Sequence, residues 1–101
     1  MMFEYKFEGI ELFINVSSHA KERLAERGVL MAPVYGCVVA ATDKVLDLKS
    51  GDEFAILDKD LGIAVIGSIK CALDVTIDII TVIDSDKIWI KAGTKVIALE
   101  I

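Results

Sequence analysis

An α+β domain, with helices near the N-terminus packed on an antiparallel sheet, is the fold this sequence predicts. Three observations carry that expectation. Residues 3–7 alternate strictly between aromatic and charged side chains. A helix with recognisable ends spans the positions around His19 to Arg27, and an apolar helical stretch follows it. From residue 45 onward the chain reads as short β-branched runs separated by Asp- and Gly-rich turns.

The elements follow in order. Phe3-Glu4-Tyr5-Lys6-Phe7 has the period of two that a half-buried strand requires, and Glu8-Gly9 turns it into residues 10–16 as a β-hairpin. Phe3, Tyr5 and Phe7 share one face, which is either core or an aromatic contact surface. Ser17 or Ser18 suits the N-cap of the next helix, whose narrow apolar face is Ala20 and Leu24. Gly28 fits the left-handed position that ends a helix. A second helix is expected to begin at Pro33, a residue favoured in the first turn, and to end at Thr42-Asp43-Lys44. Val34, Tyr35, Cys37, Val38, Val39 and Ala41 make it apolar almost all round, which predicts a helix lying deep against the sheet. Strands are then expected at residues 45–48, 53–58, 62–70, 75–83, 88–91 and 96–99. The turns between them are Asp58-Lys59-Asp60-Leu61-Gly62, Asp84-Ser85-Asp86 and Ala92-Gly93. Short turns imply antiparallel pairing throughout.

The 101 residues leave room for one core. Hydrophobic residues make up 54% of the chain, which argues against disorder. No apolar run reaches the roughly 20 residues of a spanning helix, and residues 28–42 are interrupted by Pro33 and Gly36. No basic segment precedes an apolar one at the N-terminus, so the expected compartment is the cytoplasm. Cys37 and Cys71 lie in unrelated segments with a single histidine to help, a poor basis for zinc; both are expected to be buried apolar fillers. No metal or cofactor is expected.

Chemistry is concentrated in two places. His19, Arg23 and Arg27 fall on one stripe of the first helix, flanked by Glu22 and Glu26. A helix N-terminus attracts anions, histidine titrates near neutrality, and arginine clamps phosphate with two parallel hydrogen bonds. The set would suit metal-independent RNA cleavage, with His19 and Arg23 catalytic and Arg27 binding substrate. In that reaction a 2′-hydroxyl attacks the adjacent phosphate while cations hold the developing charge. A histidine in a first helical turn is more often only a cap or a surface residue. The second place is Trp89, Lys91 and Lys95, a surface on which a base could stack and its phosphate bind. The plainer alternative is a tryptophan closing the core edge beside lysines that blunt an edge strand. Asp74, Asp78, Asp84 and Asp86 form an acidic band near the same strands, and Asp52, Glu53, Asp58 and Asp60 read as ordinary turn acids. No phosphate-binding glycine loop, nucleophile elbow or metalloprotease motif occurs.

The phrase His19-Ala20-Lys21-Glu22-Arg23-Leu24-Ala25-Glu26-Arg27-Gly28-Val29 resembles the HAxERxxxRGI opening of small domains related to the BrnT and RelE toxins. Residues 16–43 carry the likeness best, and Ile79-Ile80-Thr81-Val82-Ile83 resembles a late strand of that family. The resemblance implies a two-layer fold, endoribonuclease activity, RNA as substrate and an antitoxin as partner.

A different class of function fits the net charge of −5, because nucleic-acid binders draw on phosphate neutralisation. On that reading the protein is a non-catalytic accessory module, of the kind carried by phages or mobile elements. It would bind a host protein or self-associate through Val96-Ile97-Ala98-Leu99-Glu100-Ile101, an apolar terminal strand ready to extend a neighbouring sheet. A homo-oligomer formed through that edge is expected.

Overall fold

The computed structural model describes residues 2–85 and 87–99. Strands β1 (Met2–Phe7) and β2 (Ile10–Val16) form the expected hairpin, with Phe7 opposite Ile10. Its two-residue turn needs positive φ at both positions, and Glu8 (φ 49°) and Gly9 (φ 82°) provide it. Helix α1 (Ser18–Arg27) is capped by Ser17, whose Oγ accepts the Ala20 amide at 3.0 Å. Gly28 ends it at φ 65°, and the Val29 amide closes back on the Leu24 carbonyl. These local elements follow their sequence signals closely.

Helix α2 (Met31–Ala40) begins two residues before Pro33, and its register buries Val34, Cys37 and Val38. It does not lie deep on all sides: Gly36, Val39 and Ala40 are not buried, and Val39 and Ala40 are exposed. Residues 45–48 are not a strand. Thr42–Val45 form a short helix, α3, that continues the helical layer and buries Thr42 and Val45. The alternating pattern of Val45-Leu46-Asp47-Leu48 is satisfied instead by the last turn and loop, with Val45 in the core and Leu46 and Leu48 packed against it.

Four strands complete the sheet: β3 (Glu53–Asp58), β4 (Ile63–Cys71), β5 (Val75–Ile83) and β6 (Lys95–Leu99). Their order is β1-β2-β5-β4-β3-β6. The β3-β4-β5 meander is antiparallel as the short turns require, but β2 pairs with β5 in parallel and β3 pairs with β6 in parallel. The sheet is therefore mixed. Two long connections are responsible, since parallel neighbours need a crossover. The helices carry the chain from β2 over one face to β3, and residues 84–94 carry it from β5 to β6. Residues 88–91, expected as a strand, belong to that crossover and pair with nothing in the sheet. Asp86, and Glu100 and Ile101 of the terminal strand, lie outside the described residues.

The core lies between the helices and one face of the sheet. Leu12, Ile14 and Val16 of β2, Phe54 and Ile56 of β3, Val65 and Ile69 of β4, and Ile77, Ile79 and Val82 of β5 meet Ala20, Leu24, Val34 and Val38 there. Phe3, Tyr5 and Phe7 pack against this core, so the aromatic face of β1 is core and not a contact surface. Phe3 meets Tyr35 edge to face, with centroids 4.0 Å apart. Thr42 Oγ1 donates to the Val38 carbonyl, which leaves it to accept the Tyr5 hydroxyl at 2.8 Å. That chain ties the edge strand to the α2–α3 junction.

On the opposite face, Ala55 and Ala64 are fully buried. Ala55 and Ile66 line a small hollow together with Ile88, Trp89 and Ile90, so residues 88–90 roof this part of the sheet. Cys71 is exposed at the end of β4 and is not a core filler, whereas Cys37 is buried as expected. No helix among the described residues is long and apolar enough to cross a membrane.

Candidate functional site

The first-helix stripe divides into two parts once its partners are known. Strand β2 ends at Val16, opposite Ile79, so β5 runs on beyond its neighbour. Helix α1 takes the vacated place. The Ser17 amide bonds the Ile79 carbonyl, Ser17 Oγ approaches the Ile80 carbonyl at 3.5 Å, and Arg27 Nη1 donates to the Val82 carbonyl. Arg27 thus bonds the exposed margin of β5 through one nitrogen of its guanidinium. Its partner is 55 residues away in sequence, which no local pattern signals.

His19 and Arg23 do come together. Arg23 Nε donates to His19 Nε2 at 3.4 Å, while its Nη1 is held by Glu26 at 2.7 Å. Both lie on the outer side of α1, away from Ala20 and Leu24, and neither lines a described cavity. Trp89, 87% exposed, and Lys91 lie on the opposite face of the sheet, where Lys91 Nζ is 3.9 Å from Glu53 Oε2. Lys95 pairs with Phe54, which points it toward the helical face. The six residues therefore do not converge: His19 and Arg23 form one pair, Arg27 is structural, and the Trp89–Lys91 surface is separate. Among the described residues no group of three or more His, Cys, Asp or Glu side chains is placed to hold a metal.

The main concavity lies elsewhere. A cleft of about 590 Å³ opens between α2, α3, the β3–β4 turn and the end of β6. Pro33, Gly36 and Ala40 present the uncovered apolar side of α2 to it, and Leu61 and Leu99 stand across from them. Cys37 and Asp58 line the same cleft, with Cys37 Sγ donating to Asp58 Oδ2 at 3.4 Å. Asp58 is only 8% exposed, and its Oδ1 accepts the Leu61 amide at 3.0 Å. Burial, then the hydrogen bond to Asp58 and its negative charge, push the Cys37 thiol up to about 12. Cys37 stays protonated at neutral pH and is not a nucleophile. Asp58 is accordingly the buried end of a strand, not an ordinary turn acid. The turn signal located it correctly, but nothing local indicates that Cys37, 21 residues earlier, packs against it.

Comparison with family models, with curated proteins and with solved structures gives no match.

Proposed function

We propose that this protein is a non-catalytic interaction module that self-associates by pairing β6 with β6 of a second copy. The observation that carries this reading is the difference between the two sheet edges. On β1 the outward positions are Met2, 55% exposed, at the strand's start and then Glu4 and Lys6, whose charges are the usual protection against edge pairing. On β6 the outward positions are Val96, 51% exposed, and Ala98. Among the described residues of the strand Lys95 alone is charged, and it lies at the strand's start. Across a two-fold axis such an edge pairs with itself in antiparallel fashion and continues the sheet.

The test is the mass in solution of the wild type and of Val96→Lys/Ala98→Lys, both exposed positions, across a concentration series. A wild-type dimer that becomes a folded monomer supports the reading. A monomeric wild type, or a variant that dimerises unchanged, refutes it. A monomer that captures a different protein on the same edge would point to the host-protein or antitoxin alternative.

The ribonuclease reading keeps one specific support, the contact between His19 and Arg23 in the first turns of α1. Its likeness to the BrnT and RelE toxins rests on residues 16–43 and more loosely on residues 53–83. Cleavage of a labelled RNA in EDTA, lost by at least about 100-fold in folded His19→Ala, would favour it over the interaction module.

A further inference from the structure

Asp58 presents an electrostatic problem that the protein does not solve internally. Its carboxylate is more than nine-tenths buried, and each oxygen accepts one hydrogen bond, from the Leu61 amide and from the Cys37 thiol. No lysine, arginine or histidine among the described residues comes within ion-pairing distance of it. A buried anion held only by neutral donors keeps much of its desolvation penalty. Capping the turn explains one oxygen and not the burial.

The surroundings specify what would complete the site. Asp58 lines a cleft whose volume falls within the range of small-molecule sites. The cleft is walled on one side by Pro33, Gly36 and Ala40 and on the other by Leu61 and Leu99. At its rim Asp43 and Asp60 outnumber Lys44, so the local charge favours a cation. Helix α2 is apolar almost all round, yet the protein leaves this side of it uncovered. An apolar body with a cationic head satisfies both halves of the site.

We propose that the cleft between α2, α3 and the end of β6 binds a small alkylammonium compound. Its ammonium group pairs with Asp58, and its hydrocarbon chain lies along Pro33, Gly36 and Ala40. The site goes beyond the pairing of β6 and does not depend on it, although Ala98 and Leu99 border both.

The experiment is a calorimetric or NMR titration of the protein with hexylammonium, and with hexanol and hexanoate as probes of matching length. Hexylammonium is expected to bind at least about 10-fold more tightly than hexanol, the scale of a charge-assisted hydrogen bond, with hexanoate weakest. Asp58→Asn keeps an acceptor for the Leu61 amide and is expected to lose the preference for ammonium. Gly36→Leu keeps Asp58 and instead puts a side chain where the hydrocarbon chain is proposed to lie. A Cβ on Gly36 meets no atom within 4 Å, so the backbone accepts a side chain there, and the variant is expected to bind all three probes at least about 10-fold more weakly once circular dichroism shows it folded. Equal binding of hexylammonium and hexanol, or retained preference in folded Asp58→Asn, overturns the assignment. So does the absence of hexylammonium binding to wild type, or undiminished binding to Gly36→Leu. Val96 does not line the cleft whereas Ala98 does, so a Val96→Lys monomer that still binds hexylammonium separates this site from self-association.

Discussion

Gly67 is the position where one methyl group should do most damage. It sits in β4 beside the irregularity where the register with β5 shifts between Ile66 and Gly67. A Cβ built there would lie 2.5 Å from the Asp78 carbonyl oxygen and 2.8 Å from Cζ of Phe54. Ordinary C···O contacts begin at about 3.3 Å and carbon pairs are best at about 3.5–4.0 Å, so both neighbours must retreat by roughly 0.7 Å or more. Neither has room. Asp78 belongs to the adjoining strand, and Phe54 is fully buried. Overpacking of this kind typically costs about 1–3 kcal/mol, and a clash with backbone belongs at the upper end. Gly67→Ala is therefore expected to lose about 3 kcal/mol, or roughly 10–25 °C in Tm for a domain of this size. Urea and thermal denaturation followed by circular dichroism measure it. Phe54→Leu in the same chain removes the ring contact and should recover about 1 kcal/mol, leaving the carbonyl clash. A Gly67→Ala protein within about 0.5 kcal/mol of wild type would refute the packing argument, and strict additivity with Phe54→Leu would refute the part assigned to the ring.

Four further outcomes are expected. The Tyr35 hydroxyl is buried without a hydrogen-bond partner among the described residues, so Tyr35→Phe should stabilise the fold by about 1 kcal/mol in denaturant titration. A loss of stability would mean that the hydroxyl is bonded to water. Cys37 holds its proton up to about 12 when folded against an ordinary value of 9.0, so its contribution to stability is complete below 9.0 and is lost as the pH rises toward 12. Cys37→Ala should flatten that alkaline slope. In the native wild type a thiol reagent should modify exposed Cys71 quickly and Cys37 only on unfolding. Arg27→Met keeps the aliphatic stem but strands the Val82 carbonyl, and should cost about 1–2 kcal/mol in chemical denaturation while leaving the His19–Arg23 contact intact.

What the sequence reveals and what it conceals divide along the range of the interactions. The hairpin, the Ser17 cap and the Gly28 stop are determined by residues close to one another in the chain, and each stands where its signal predicts. The β3-β4-β5 meander is legible for the same reason. The parallel pairings are not, because nothing in the alternation of residues 10–16 says which strand becomes a neighbour after a long crossover. Leu12 meets Val75 only through the whole helical layer and meander. Val45-Leu46-Asp47-Leu48 has a strand's alternation, but burial of Val45 under the helices decides for α3. The His19–Arg23 pair is visible as a helical repeat, whereas the commitment of Arg27 to Val82 and the meeting of Cys37 with Asp58 depend on the assembled sheet.

The 84–94 crossover has a consequence for how the chain comes together. Strands β3, β4 and β5 emerge from the ribosome before β6, so β3 spends that interval as an outer strand. Phe54, Ala55 and Ile56, all fully buried in the finished sheet, give that temporary margin little charge to protect it. Docking of β6 ends the exposure, and it must wait for the crossover to be laid across the sheet. Until then a second nascent chain can offer its own β6 to the same vacancy. An exchange of terminal strands between two copies is thus a kinetic hazard written into this topology, and rapid dilution during refolding should suppress it.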